Sequence, residues 1–167
     1  MQKQNLLILG AGQYGAVAKE TAQAMDCFGR IDFLDDANPI ALGTLSCCKT
    51  LRGSYDCAFV AIGDAEVRMY WLTELVQAGY EPAVLIHPRA WVSPSARLMA
   101  GIIVEPMAVV HANAVVESGT LLCAGGVVNH NAHVLSGCKI DCNAVVAPRT
   151  VVPEKTHVPS STCFERK

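Results

Sequence analysis

From residue 92 onward an aliphatic side chain returns at every sixth position: Val92, Leu98, Val104, Val110, Val116, Leu122, Val128, Val134, Ile140, Val146, Val152 and Val158 fill twelve of twelve slots. Neither the 3.6-residue period of a helix nor the two-residue alternation of an ordinary strand produces such a phase. Four positions after each aliphatic stands a small residue, as at Ala96, Ala108, Ala114, Gly126, Ala132 and Ala144, with Ile102 the one large exception. Three positions after it, Gly or Asn recurs: Gly101, Asn113, Gly119, Gly125, Asn131, Gly137 and Asn143. Those two residue types tolerate positive φ, so this phase belongs at sharp corners. Together the phases predict a hexapeptide parallel β-helix, in which three short strands close one triangular coil of about 18 residues. Twelve hexads make about four coils, stacked about 4.8 Å apart into a prism.

The first half follows different rules. An apolar run, Asn5 to Leu9, leads into Gly10-x-Gly12-x-x-Gly15, and a helical stretch follows from Ala16 to about Met25. A second strand, Ile31 to Leu34, ends in Asp35 and Asp36. That spacing suits a carboxylate accepting from a ribose or sugar hydroxyl while a phosphate sits at the helix N-terminus. A third strand, Cys57 to Ile62, ends in Gly63-Asp64, a helix runs from about Ala65 to Ala78, and Ala83 to Ile86 reads as a fourth strand. Gly10, Gly12, Gln13, Tyr14, Gly15, Asp35, Asp36, Gly63 and Asp64 are therefore the candidate ligand-binding residues. About 85 residues supply only half of a doubly wound fold, so a full NAD site is not expected. The expected organisation is a small Rossmann-like α/β domain over residues 1–88 and the β-helix over 89–167, with Pro88 and Pro94 around Trp91 marking the junction.

Charge narrows the partners. Thirteen Lys and Arg against fifteen Asp and Glu leave a net charge of −2. No basic surplus is available to neutralise nucleic-acid phosphates or an anionic membrane, so small molecules or proteins are expected instead. No apolar stretch approaches the roughly 18 residues of a membrane span, and the segment from Met1 to Leu9 is too short for a secretory signal, which predicts a cytoplasmic protein. The eight cysteines form no CxxC pair, so most are expected to be buried thiols and no metal is expected.

A Gly-rich nucleotide-type domain followed by a left-handed hexapeptide β-helix resembles one family, the sugar O- and N-acetyltransferases. These include sialic acid O-acetyltransferase and the UDP-4-amino-sugar N-acetyltransferase of the bacillosamine pathway. The matching stretches are Leu9 to Gly15, Phe33-Leu34-Asp35-Asp36, Ala61-Ile62-Gly63-Asp64, Ile86-His87-Pro88, Val92 to Ala96 and Val128-Asn129-His130-Asn131. The resemblance implies acetyl-CoA as acyl donor, a sugar or nucleotide-sugar acceptor held by the N-terminal domain, a homotrimer with active sites between neighbouring prisms, and His130 as catalytic base. Relatives commonly carry an acidic residue after that histidine, where this chain has Asn131. They often carry a second histidine nine positions on, where this chain has Lys139. They also run on through further coils, whereas this sequence ends at Phe164-Glu165-Arg166-Lys167.

His130 stands two places after Val128, a phase filled elsewhere mostly by Pro, Ala, Ser or Cys. A histidine is not needed there for structure, and a neutral imidazole can take a proton from an attacking amine or hydroxyl. Asn131 is the second candidate catalytic residue, although its phase favours Asn for the turn alone. The outward position before each aliphatic is also informative. One column reads Val109, Val127, Val145, Cys163 and suggests a subunit contact. Another reads Ile103, Leu121, Lys139, His157, and its polar end suggests a groove in which Lys139 and His157 are the candidate CoA-binding residues. His111, His133 and His157 are expected at exposed or interface positions. The trimeric zinc carbonic anhydrases share the prism but need converging histidines, and an 18-residue stack sets His111 against Asn129. The leading expectation is an acetyl-CoA-dependent acyltransferase acting on a sugar amine or hydroxyl. The alternative is a non-catalytic, trimeric sugar-nucleotide-binding scaffold whose shortened C-terminus has lost the CoA site.

Overall fold

The computed structural model describes residues 3–165; Met1, Gln2, Arg166 and Lys167, which enter the expectations about the two ends, lie outside the described residues. The chain divides into two compact units between Ala83 and Val84.

The first unit is a four-stranded parallel sheet in the order β2-β1-β3-β4, from β1 (Gln4–Leu9), β2 (Phe28–Leu34), β3 (Cys57–Val60) and β4 (Glu81–Pro82). Leu6 to Leu9 are fully buried, as a central parallel strand covered on both faces requires. Leu7 and Leu9 join Leu72 and Leu75 of one helix in a single cluster, and the intervening residues face the opposite side. That helix is α3 (Ala65–Gln77); α1 (Gln13–Ala24) follows the glycine turn, and a short α2 (Cys48–Leu51) lies between β2 and β3.

Several boundaries differ from the sequence reading; the third strand, for one, ends at Val60 rather than Ile62. Helix α1 starts at Gln13 rather than Ala16, because Gly12 in extended conformation already serves as its N-cap. Strand β2 starts at Phe28, where exposed Gly29 and Arg30 carry no hydrophobic signal. The fourth strand of this sheet is Glu81–Pro82, hydrogen-bonded to Cys57 and Ala58, whereas Leu85–Ile86 belongs to the prism. The division therefore falls a few residues ahead of Pro88.

The second unit is three parallel sheets of two-residue strands, consistent with a left-handed β-helix. Strands stack in steps of 18 residues, as Val110, Val128 and Val146 do. The repeat is longer than twelve hexads. Ile86 and Phe164 occupy the same phase, giving fourteen strands from Leu85–Ile86 to Cys163–Phe164 among the described residues. One continuous core runs through the unit, built from the periodic aliphatics with Ile102, Ala108, Ala114, Ala132, Cys138 and Ala144 filling the small phase. The corners adopt positive φ at every turn from Gly101 to Ser161, including Met107, Arg149, Lys155 and Ser161, which have neither the freedom of Gly nor the tolerance of Asn. Coil geometry overrides residue preference there.

Of the cysteines, Cys48, Cys57, Cys123 and Cys138 are buried, but Cys27, Cys142 and Cys163 are exposed, so burial holds for half of them. All eight are free thiols. No helix among the described residues is long and apolar enough to cross a membrane.

Candidate functional site

In the first unit the candidate residues gather where β1, β2 and β3 end. The three motif glycines have different jobs. Gly10 has φ +102, and a Cβ there would meet the Ala61 carbonyl oxygen at 2.8 Å. A Cβ on Gly15 would run into the Gly10 carbonyl oxygen, so this glycine permits close packing of α1 on its strand. Gly12 has φ −77 and nothing within 4 Å of an added Cβ. Neither strain nor crowding demands glycine at position 12; open space over the backbone remains, at a helix N-terminus with no side-chain cap and no acidic residue in its first turn.

The aspartates shape the loops around that space. Asp35 accepts from the Ala11 N–H through Oδ2 (2.7 Å) and from the Ala37 and Asn38 N–H groups through Oδ1 (both 2.9 Å). The N–H groups of Ala11 and Ala37 hold its carboxyl below the usual range, outweighing partial burial. Asn38, which the sequence reading missed, returns the contact by donating from Nδ2 to the Ala11 carbonyl at 2.7 Å. Asp36 is exposed and accepts from the Leu45 N–H at 2.9 Å. Asp64 caps α3 by accepting from the Val67 N–H. Arg68, also missed, is buried, and its guanidinium donates to the carbonyls of Ile62 and Gly63, both at 2.8 Å. A buried arginine inside an amphipathic helix looks from sequence like a surface residue, so no signal marked it. Gln13 is exposed and Tyr14 half-buried on the first turn of α1, and exposed Gly63 has nothing within 4 Å of an added Cβ.

In the second unit His130 and Asn131 form one exposed corner between the strands Val127–Val128 and His133–Val134. The Asn131 side-chain Nδ2 lies 3.1 Å from His130 Nδ1, and Asn131 itself has φ +57. It therefore serves both the turn and the ring. Lys139 and His157 are brought together on another face, stacked in register and both bonded to Asp141 Oδ2, at 3.3 and 3.0 Å. Burial opposes the charge on Asp141, but hydrogen bonds from His157, the Cys142 N–H and Lys139 outweigh it and hold the carboxyl down to about 2. The sequence reading named the two cations and missed the carboxylate joining them. No hydrogen bond among the described residues links this trio to the His130 corner.

His133 is not a free surface histidine. Its Nε2 lies 2.7 Å from Glu117 Oε1, and Ser136 donates to Glu117 Oε2 at 2.9 Å. Partial burial works against the Glu117 charge, yet these two partners keep its carboxyl below the usual range. His111 is exposed and follows the strand Val109–Val110, with its N–H donating to Val128. Among the described residues no group of three or more His, Cys, Asp or Glu side chains is arranged to hold a metal ion.

Comparison with known proteins agrees with both units. Residues 5–75 match the PglD N-terminal domain family. The acetyltransferase domain of PglB from Neisseria gonorrhoeae is similar at 29% identity with a TM-score of 0.93, over 96% of this chain and 82% of that one. The same domain solved with acetyl coenzyme A is similar at 28% identity, TM-score 0.73, over 97% and 88%. PerB from Caulobacter crescentus, solved with CoA and GDP-perosamine, shares the fold at 24% identity, TM-score 0.81, over 97% and 89%. No curated protein sequence matches the chain. The resemblance to an acetyltransferase domain thus extends over the α/β unit and the β-helix alike.

Proposed function

We propose that the chain is an acetyl-CoA-dependent acyltransferase that acetylates the amine or hydroxyl of a sugar, most simply one linked to a nucleotide. The observation that carries the reading is the His130 corner: an exposed imidazole, at a phase that needs none, with Nδ1 held by the neighbouring Asn131. In the structure the Asn131 Nδ2 is the atom that faces Nδ1; turning the amide by 180° brings its oxygen there instead, Nδ1–H then donates to it, and Nε2 is left with its lone pair outward. That nitrogen takes the proton of the acceptor as its nitrogen or oxygen attacks the thioester carbonyl. The carbonyl electron pair moves to oxygen, then re-forms the C=O bond as the C–S bond breaks. CoA leaves as the thiolate and recovers a proton from the imidazolium. An amide in place of a carboxylate beside the ring leaves the imidazolium without a charged partner, so proton return to the leaving thiolate is favoured.

Gly12 gives the acceptor's phosphates access to the N-terminus of α1, where backbone N–H groups and the helix dipole favour anions. Asp35 acts through the loop it organises, and Gln13, Tyr14, Asp36, Gly63 and Asp64, which follow the ends of β1, β2 and β3, are the further candidates for acceptor contact. The acceptor's amine or hydroxyl is the reacting group; the nucleotide-linked sugar solved with PerB is an acceptor of this chemical kind. Lys139 and His157 meet the donor's phosphates, with Asp141 setting their positions. The half-buried column Val109, Val127 and Val145 supports assembly as a homotrimer.

The test is thiol release from acetyl-CoA by the purified chain with a panel of nucleotide-linked amino sugars and sialic acids. Acceptor-dependent release supports the reading. Saturable binding of a nucleotide sugar without any release contradicts it and favours the non-catalytic scaffold.

A further inference from the structure

The reading that the acceptor is held where the strands of the α/β unit end, on which this inference rests, leaves one polar side chain there without a role. Asn38 donates from Nδ2 to the Ala11 carbonyl at 2.7 Å and accepts from the Ile40 N–H through Oδ1 at 3.2 Å. Its two partners are an acceptor and a donor of the backbone, so they fix which way the amide faces. Its own N–H goes to Asp35 Oδ1 at 2.9 Å, and its carbonyl accepts from the Ala41 N–H at 3.1 Å. Asp35 Oδ2 in turn takes the Ala11 N–H. The loop that follows β2 thus holds Ala11 by both of its backbone polar groups.

That hold sets the direction of the next donor. The C=O and N–H of a planar trans peptide point in opposite directions, so with the Ala11 carbonyl drawn to Asn38 the Gly12 N–H is turned away from the β2 loop. It has no hydrogen-bond partner among the described residues, and a Cβ added at Gly12 would meet nothing within 4 Å. Glycine leaves both directions accessible. Gly12 has φ −77, and half a turn of the Ala11–Gly12 peptide would carry φ to the positive side, which glycine adopts without strain. The turned peptide would set a carbonyl oxygen, which repels a phosphate, where the N–H now stands. The loop after β3 has the same device. Buried Arg68 draws in the Ile62 and Gly63 carbonyls, and the N–H groups of Gly63 and Asp64 point away from it without partners among the described residues.

We propose that Asn38 is a positioning residue for the acceptor: by holding the Ala11 carbonyl it keeps the Gly12 N–H aimed at an acceptor phosphate. Its influence is on affinity for a phosphate-bearing acceptor, exerted through the backbone of Ala11 and Gly12, and the acetyl donor is bound without it.

The test titrates the full chain with UDP and GDP as probes and, separately, with acetyl-CoA, reading dissociation constants by calorimetry for wild type, Asn38→Ala and Asn38→Asp. The first substitution frees the peptide; the second keeps the size of the side chain and its acceptor for the Ile40 N–H but sets a carboxylate oxygen against the Ala11 carbonyl. The Kd of the tighter nucleoside diphosphate should rise about tenfold in Asn38→Ala and further in Asn38→Asp, with the Kd of acetyl-CoA unchanged. On an acceptor that is turned over, KM should rise by the same factor while kcat holds. Wild-type affinity for the probes in both variants would overturn the assignment, and so would a wild type that binds neither probe. Parallel loss of acetyl-CoA affinity, or failure of both variants to fold, would make Asn38 a general support of the fold and overturn it as well. A wild type that acetylates a nucleotide sugar, with the acceptor KM unchanged in Asn38→Ala, removes this assignment and keeps the acetyltransferase reading. A wild type that binds UDP or GDP with the expected dependence on Asn38, but releases no thiol, removes that reading and keeps the assignment.

Discussion

The two units carry their chemistry in opposite ways. In the prism a six-residue rule fixes the backbone so firmly that even Met107 and Arg149 adopt positive φ, and the proposed chemistry stands in the exceptions: His130 where small residues or proline are usual, Lys139 and His157 where a column has been aliphatic. In the α/β unit no rule repeats. Its site arises where three strands end, from side chains that bind the loops to one another, Asp35 to Ala11 and Asn38 back to Ala11. A repeat supplies a rigid frame on which single substitutions are cheap. An irregular unit builds its loops cooperatively, and Asp35, Asn38 and Asp64 each bind backbone groups of that framework.

That contrast predicts how each unit breaks. The largest effect is expected at the prism's outward column. Val127→Glu sets an unpaired carboxylate in the proposed subunit contact at a cost of several kcal/mol, so light scattering should find monomers with the β-helix intact. A trimer that persists assigns the contact to a different face. In the α/β unit, Gly15→Ala drives a Cβ against backbone oxygen and should lower stability by about 1–3 kcal/mol, read as a fall in denaturant midpoint. Gly12→Val, with open space around its Cβ, should lower that midpoint less, by the loss of a favourable N-cap alone, and raise the acceptor KM while the donor KM stays fixed. Equal loss of stability in the two variants would remove the distinction between the packing glycine and the binding glycine.

The smallest effect concerns acid. Asp141 is held down to about 2 from an ordinary 3.8, so its contribution is present above the unfolded value and disappears as pH falls from about 4 towards 2. Asp141→Asn should cost at most about 2 kcal/mol at neutral pH and converge with wild type at the acid end, measured as unfolding free energy against pH. A difference independent of pH would mean that the trio of Lys139, Asp141 and His157 is held by packing alone.

How far the sequence could be read follows the same division. The period of six foretold the strand positions of the prism, because an inward side chain every sixth residue is a direct physical requirement of its core. Its extent was underread at both ends: Ile86 looked like a strand of the preceding sheet, and Phe164 is aromatic rather than aliphatic. In the α/β unit the order of strands and helices was legible from apolar runs and glycines. The partners of polar groups were not, since nothing local to Arg68 announces burial and nothing local to Asp35 announces three backbone N–H groups. Likewise Lys139 and His157 declared themselves by breaking a column, whereas Asp141 stands at a corner where polar residues are ordinary.

The central claim is that acetyl transfer takes place at the His130 corner, and the most direct measurement of it is kcat for His130→Ala against wild type across pH, with the trimer and the fold monitored in parallel. The account predicts a fall of about 10²- to 10⁴-fold in kcat, an unchanged fold because His130 is exposed and has no inward packing role, and loss of the wild-type rise in rate with pH. Near-full turnover by His130→Ala on an acceptor that wild type acetylates, with the pH profile preserved, would contradict it.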